Sequence, residues 1–227
     1  MNKKYIKLSF SILISLIFTA CGTTQEDSLS NNDNILYNCN LYIDKNYYEI
    51  CYNNELKGAL FVSYTLDGSL VDEPNIADRL SFYTEPSLEY SSEYSDYTGS
   101  GFDRGHLASD ASFDWSSDSL KSVYSMANVI PQYPDVNRYS WIDTEYLERE
   151  KAVAYGSVDV VIGVEYSDNP QTIGENNIAV PKGFYKKISN TPHNYEECYY
   201  YENIPTSYTY TDTISEHTIA CKELYFG

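Results

Sequence analysis

Cationic side chains are scarce in this sequence of 227 residues. It holds 15 Lys and Arg residues against 33 Asp and Glu residues, so the formal net charge is −18. A charge of this size repels phosphate, and it argues against a protein that holds nucleic acid on a broad basic surface. Acidic composition otherwise serves solubility and says little about a substrate.

Long apolar sequence is confined to the amino terminus, where three lysines precede an apolar run from Leu8 to Phe18. The run is short for a membrane span and polar sequence follows it, so residues 1–20 are predicted to be a signal peptide. The ending "FTAC" is similar to a bacterial lipobox, which would make Cys21 a lipidated first residue. Ordinary secretion with cleavage nearby is the alternative. Loss of the three lysines would take the net charge from −18 to −21.

Residues 21–34 contain almost nothing apolar, so they are predicted to be the lipidated cysteine and a flexible tether. A single domain is expected over residues 35–227, because this length suits one hydrophobic core. Gly22 follows Cys21, where an aspartate is associated with retention in the inner membrane. The expected location is therefore the outer membrane or the cell surface, with a periplasmic or secreted protein as the alternative.

Cysteine is also scarce, and no pair has the C-x2-C spacing of a zinc site. Apart from Cys21, the chain holds Cys39, Cys51, Cys198 and Cys221. An even number of cysteines in an exported protein predicts two disulfides. Cys39 with Cys51 and Cys198 with Cys221 would close the shortest loops, although four cysteines permit three pairings.

Aromatic and β-branched residues bounded by turn signals predict strands for "LYIDKNYYEICYNN" and "GALFVSYTLDG". A central strand is predicted for "SVDVVIGVEY", and a neighbouring strand for "NNIAVPKGFYKKI". The best helix candidate is "YSWIDTEYLEREKAVAY", which lacks Gly and Pro. The expected fold class is α+β, with a central, mainly antiparallel sheet flanked by helices.

Histidine occurs only three times, and His106 stands in the segment "GFDRGHLASD". Downstream lie "NVIPQ" at 128–132, "NRYSW" at 137–141, and then Glu145. Together, these motifs resemble the DNA/RNA non-specific endonuclease family, the ββα-metal nucleases. The segment "DRLSFYTEP" is similar to the part of that family that supplies an early arginine, here Arg79. The resemblance implies a ββα-metal active-site motif, a histidine base, an asparagine metal ligand at Asn137, and DNA and RNA as substrates.

The residues support the same chemistry by themselves. Only imidazole combines useful basicity with a near-neutral pKa, so His106 is the candidate base, and activity is expected to rise with pH near or above about 6.5. Arg104 and His106 are two residues apart, and would face one site from an extended segment. Gly105 between them would leave room for a phosphate to approach the backbone.

A helix starting near Asn137 would place Asn137, Trp141 and Glu145 along one face, because they recur every four residues. About 12 Å of helix rise separates Asn137 from Glu145, so Asn137 is assigned as the direct metal ligand and Glu145 to a metal-bound water. A sparse site of this kind suits Mg²⁺, with Mn²⁺ or another divalent cation as alternatives.

Other roles are open for several of these residues. Asn137 could be a helix N-cap, Trp141 is more typical of a core than of a substrate platform, and Glu145 could be a solvated helix residue. Arg79 could form a surface salt bridge. Asn128 is expected to orient the backbone or the substrate near the metal. His193 and His217 lie outside the motifs and receive no role.

The sequence therefore predicts a metal-dependent, non-specific endonuclease in the form of an exported lipoprotein. The expected catalytic residues are His106, Arg104, Arg79, Glu145 and Asn128. A small basic rim is expected from three lysines, Lys182, Lys186 and Lys187. The alternative is a catalytically inactive, nuclease-like lipoprotein that acts as a nucleic-acid receptor or interaction protein.

Overall fold

The computed structural model describes residues 39–71, 75–205 and 212–224. The predicted signal peptide, Cys21 and the tether lie outside the described residues. No helix in the described ranges is long and apolar enough to cross a membrane.

The main sheet has seven strands, and every neighbouring pair is antiparallel. In spatial order the strands are β1 (Leu41–Asp44), β2 (Glu49–Asn53), β3 (Gly58–Asp67), β6 (Ser157–Glu165), β9 (Gly183–Asn190), β10 (Tyr195–Glu202) and β11 (Thr218–Ile219). The predicted central strand is β6, and its predicted neighbour β9 lies directly beside it. The central strand is confirmed, whereas the neighbour is confirmed only for the second half of "NNIAVPKGFYKKI", because Ile178–Ala179 pairs in a separate small sheet. The antiparallel α+β fold class is also confirmed.

In the described residues, two small two-stranded antiparallel sheets accompany the main sheet, β4 (Asp103–His106) with β5 (Val129–Gln132) and β7 (Thr172–Ile173) with β8 (Ile178–Ala179). The helices are α1 (Gly68–Val71), α2 (Ser117–Val123) and α3 (Trp141–Tyr155). A π-helical turn over Val136–Ser140 leads directly into α3. The predicted helix is thus confirmed, and β4, β5 and α3 form a ββα arrangement in which the motif residues lie.

The core lies between the sheet and α3, and Trp141 is one of its largest members. Its side chain is fully buried, with ring centroids 5.8 Å from Phe184 on β9 and 5.5 Å from Tyr201 on β10. Burying an aromatic side chain of this size contributes roughly 2–3 kcal/mol. The core role predicted for Trp141 is confirmed, and this burial holds the start of α3 against the sheet.

Both predicted disulfides are present. Cys39 pairs with Cys51 on β2 across a Cα–Cα distance of 5.3 Å, and Cys198 on β10 pairs with Cys221 across 5.2 Å. Each constrains the unfolded chain, and a closed loop of this length typically contributes about 2–4 kcal/mol.

The predicted basic rim is wrong. Lys186 shares the buried face of β9 with Phe184 and Ile188, because alternate residues of a strand point to the same side. Its ammonium group is fully buried and pairs with Glu148 at 2.7 Å. The other two lysines of the segment each pair with a glutamate of a neighbouring segment. All three lysines of the predicted rim are thus paired with glutamates, as the excess of carboxylates in this protein allows.

Candidate active site

Strand β4 presents Arg104 and His106 on one side. The ring of Phe82 lies 5.0 Å from the ring of His106 and 5.6 Å from the guanidinium carbon of Arg104, so both side chains contact the same neighbour. Gly105 faces the other way, where a Cβ atom would lie 2.0 Å from Oε1 of Gln132. The shared face is confirmed. The glycine makes room for the side chain of Gln132, and the approach of a phosphate to this backbone stays a prediction.

Asn128 holds the backbone that follows His106. Its buried amide accepts a hydrogen bond from Ala108 N–H at 2.9 Å and donates to the carbonyl oxygens of Ala108 at 2.9 Å and Val123 at 3.0 Å. The sequence predicts that Asn128 orients either the backbone or the substrate. Because all three hydrogen bonds go to backbone groups, the structure supports the first of these roles.

Two anchors align β4 with the helix. At its start, Asp103 accepts hydrogen bonds from Asn137 Nδ2 at 3.1 Å and from two nitrogens of Arg138, each at 2.7 Å. Beyond its end, Ser112 donates to Glu148 on α3 at 2.6 Å. The two anchors therefore hold the segment that carries Arg104 and His106 against the helical segment that carries Asn137 and Glu145.

The π-helical turn determines how Asn137 is presented. Trp141 N–H donates to the carbonyl oxygen of Val136, five residues earlier, and Asp135 occupies the N-cap position. The helix therefore starts one residue before Asn137, and the N-cap role for Asn137 is wrong. Because Nδ2 donates to Asp103, the amide is oriented, and no donor in the described part of the chain contacts its Oδ1. Single π-helical turns frequently occur at functional sites.

The imidazole of His106 is held in an apolar environment. The ring of Tyr124 lies 5.1 Å away edge-on, and Nε2 is buried with no hydrogen-bond partner among the described residues. Burial lowers the pKa of His106 to about 4; the carboxylate of Asp110 opposes this effect and the guanidinium of Arg79 adds to it. The predicted ionisation near or above 6.5 is therefore corrected downward, because a charged imidazolium loses its hydration here.

Glu145 is not a solvated helix residue. Burial raises the pKa of its carboxyl group to about 7; the charge of Lys186 opposes the rise, and the charges of Glu148 and Asp110 add to it. Glu150, on the same helix, is exposed. No hydrogen bond or ion pair within the described ranges engages the Glu145 carboxylate. The group is thus costly to ionise even with the charge of Lys186 nearby, and a further cation beside it would favour the ionised form.

The two arginines of the site differ in their partners. The guanidinium of Arg104 lies 3.9 Å from the ring centroid of Tyr94 and donates to its hydroxyl at 3.2 Å. Within the described chain, no carboxylate forms an ion pair with it. Arg79 instead pairs with Asp110, as the salt-bridge alternative predicts, while its side chain remains 64% exposed. Arg104 is therefore the arginine of the site whose guanidinium has no carboxylate partner among the described residues, and we call it the open cation of the site.

The donor groups fit a hydrated divalent cation. Asn137 offers an amide oxygen, and Glu145 offers a carboxylate that is costly to ionise alone, which are the oxygen ligands that Mg²⁺ prefers, directly or through water. In the described residues, no group of three or more His, Cys, Asp or Glu side chains is placed to hold a metal ion.

Three residues of the site received no role from the sequence. Asp103 and Gln132 lie inside the motifs "DRGH" and "NVIPQ". Their position in these motifs is the one feature of the sequence that could have indicated a role in the site. Gln132 is fully buried, with neither amide atom hydrogen-bonded among the described residues. Asp110 follows His106 by four residues, and nothing local indicated its pairing with Arg79.

Comparisons with known proteins agree with this geometry. The model of the DNA/RNA non-specific endonuclease family matches residues 26–223. Mitochondrial endonuclease G of Bos taurus is 31% identical over 153 residues, covering 62% of this chain and 51% of that protein. A nuclease of Nostoc sp. is 30% identical over 150 residues, covering 66% and 54%. The chain thus spans about half the length of these curated relatives.

The fold is also found in a solved structure. A crystal structure of the EndoG/EndoGI complex aligns with a TM-score of 0.71 and 24% identity, covering 80% of both chains. This similarity confirms the ββα-metal nuclease fold. With the family model matching most of its length, the chain belongs to the DNA/RNA non-specific endonuclease family.

Proposed function

We propose that this protein is a metal-dependent endonuclease that hydrolyses phosphodiester bonds of DNA and RNA with little sequence preference. One observation carries the proposal: β4 presents a histidine and an arginine on the same side, both against the ring of Phe82, and the arginine has no carboxylate partner among the described residues. An open guanidinium binds a phosphate, and a neutral imidazole takes a proton from water.

Each residue then has a defined task. His106 accepts the proton of the attacking water, and Arg104 binds a non-bridging phosphate oxygen. Asn137 would hold a divalent cation such as Mg²⁺, and Glu145 would bind one of its waters. When bound, the cation supplies Lewis-acid stabilisation of the charge on phosphate. Asn128 keeps the backbone after His106 in place.

The expected lack of sequence preference follows from the kind of contact. Arg104 is an open phosphate ligand, and contacts to phosphate carry no direct sequence information. The net charge of −18 opposes tight, extended binding of a polyanion, and weak binding favours release of the products.

The test is incubation of the purified protein with plasmid DNA and with RNA, in Mg²⁺ and in EDTA. We expect the wild-type protein to cleave both substrates in Mg²⁺ and neither in EDTA. We expect the His106→Ala variant to cleave neither. Absence of cleavage by the folded wild-type protein would refute the proposal. Binding without cleavage would favour the inactive, receptor-like alternative.

We also propose that the protein is exported as a lipoprotein anchored through Cys21 in the outer membrane or at the cell surface. The amino-terminal sequence supports this location, and the two disulfides are typical of an oxidising compartment. Metabolic labelling with palmitate in a bacterial host should label the wild-type protein and not Cys21→Ala. Equal labelling of both proteins would refute the anchor.

A further inference from the structure

Asp110 lies where three residues of the site meet. It starts the 3-10 turn Asp110–Ser112, and its side chain is 20% exposed. Its Oδ2 contacts Nη1 of Arg79 and accepts a hydrogen bond from the Tyr124 hydroxyl at 3.0 Å. The ring of Tyr124 in turn lies against the ring of His106. The carboxylate is therefore placed between Arg79 and the candidate base.

A carboxylate and a phosphate approach a guanidinium in the same way. Both present oxygens to its planar N–H donors, so a carboxylate that pairs with an arginine competes with a phosphate for its charge and its position. In this pair, the carboxylate is largely covered while Arg79 remains 64% exposed. Asp110 contacts Arg79 through Nη1, so other donors of the guanidinium can face an incoming substrate while Asp110 neutralises its charge and restrains its position.

We propose that Asp110 competes with the substrate phosphate for Arg79, and that it thereby determines how weakly this enzyme holds nucleic acid. The inference rests on the proposed function, in which this site binds the phosphate backbone of nucleic acid, and the contact of that phosphate with Arg79 is part of the inference itself. Arg104 supplies a cation without a carboxylate partner among the described residues, whereas Arg79 supplies one for which the substrate competes with Asp110.

Replacement of Asp110 by asparagine should release Arg79 while preserving side-chain size and an oxygen that can accept from Tyr124. Because exposed ion pairs are weak, we expect the variant to bind nucleic acid about two- to five-fold more tightly. The released arginine adds up to one phosphate contact, so log Kd should become steeper in log salt by up to about 0.7 for a single strand.

The experiment measures the fluorescence anisotropy of a fluorescein-labelled single-stranded DNA oligonucleotide at several salt concentrations. Every protein carries His106→Ala, so that Mg²⁺ can be present without cleavage. The set comprises the parent, Asp110→Asn, Arg79→Ala, and the combination of both. Asp159→Asn controls for the loss of one negative charge, because Asp159 is exposed on β6 and its hydrogen bond goes to Thr65.

The proposal requires tighter binding and a steeper salt slope in Asp110→Asn, and the disappearance of both effects when Arg79 is alanine. Equal tightening without Arg79, or in Asp159→Asn, would show an effect of net charge only and overturn it. Weaker binding by Asp110→Asn would show that Asp110 positions Arg79 for the substrate, and this result would overturn the proposal. Absence of binding by every variant would overturn it as well. Asp110→Ser replaces Asp110→Asn if thermal unfolding shows that the latter is misfolded. Cleavage by the wild-type protein tests the proposed function separately.

Discussion

Replacement of His106 by glutamine should remove a pH-dependent part of the free energy of unfolding. In the folded protein, burial lowers the pKa of His106 to about 4, whereas the unfolded chain has the ordinary value of about 6.5. The unfolded state therefore binds the proton more tightly. The contribution of His106 is fully present above about pH 6.5 and is lost as the pH falls toward 4, by roughly 3 kcal/mol in total at 1.36 kcal/mol per pKa unit.

The assay is urea unfolding of the wild-type protein and His106→Gln at about pH 7 and about pH 5, in EDTA. Over this interval the wild-type protein should lose about 2 kcal/mol more than the variant, because glutamine does not titrate. Glu145 acts in the opposite direction, since its raised pKa favours the folded state at low pH. Its effect is present in both proteins, so it cancels in the difference.

Equal pH dependence in the two proteins would refute the reasoning, because it would mean that His106 has the same pKa in the folded and unfolded states. The activity offers a second check. A base must be neutral to accept a proton, so the acid limb of kcat/KM in the wild-type protein should fall near pH 4 to 5 and not near 6.5. A limb near 6.5 that persists in Glu145→Gln would indicate a solvated imidazole, because Glu145, with a pKa of about 7, titrates in the same range.

Three further substitutions test the site. Asn137→Ala should abolish Mg²⁺ binding in calorimetry while the circular dichroism spectrum is retained, and unchanged Mg²⁺ affinity would exclude it as the ligand. Glu148→Ala leaves a buried lysine without a counter-ion, so urea unfolding should show a loss of about 3–5 kcal/mol; a loss below about 1 kcal/mol would contradict the buried pair. Tyr94→Ala removes the ring that covers Arg104 and should raise KM about two- to five-fold, with kcat less affected. Tyr90→Ala removes an equally exposed ring, and an equal rise in KM would contradict this role.

The sequence by itself determined the features that depend on local chemistry. The apolar, β-branched segment at 157–165 predicted a central strand, and the segment without Gly and Pro before it predicted α3. Cysteine spacing favoured, among three possible pairings, the two disulfides that the structure contains. The period of two residues along a strand placed Arg104 and His106 on one side, which is why the main pair of the site was predictable.

Only the tertiary structure decided which charges are free. Arg79 and Asp110 are separated by 31 residues, and the partners of the lysines on β9 come from other segments, so no local pattern shows that these cations are engaged. The pKa of His106 likewise depends on the rings of Phe82 and Tyr124, which arrive from outside β4 and exclude water. Strand and helix periodicity acts along the chain, so the sequence predicts which residues share a face. Ion pairing and desolvation act through space, so only the tertiary structure shows which charges are paired and which pKa values are shifted.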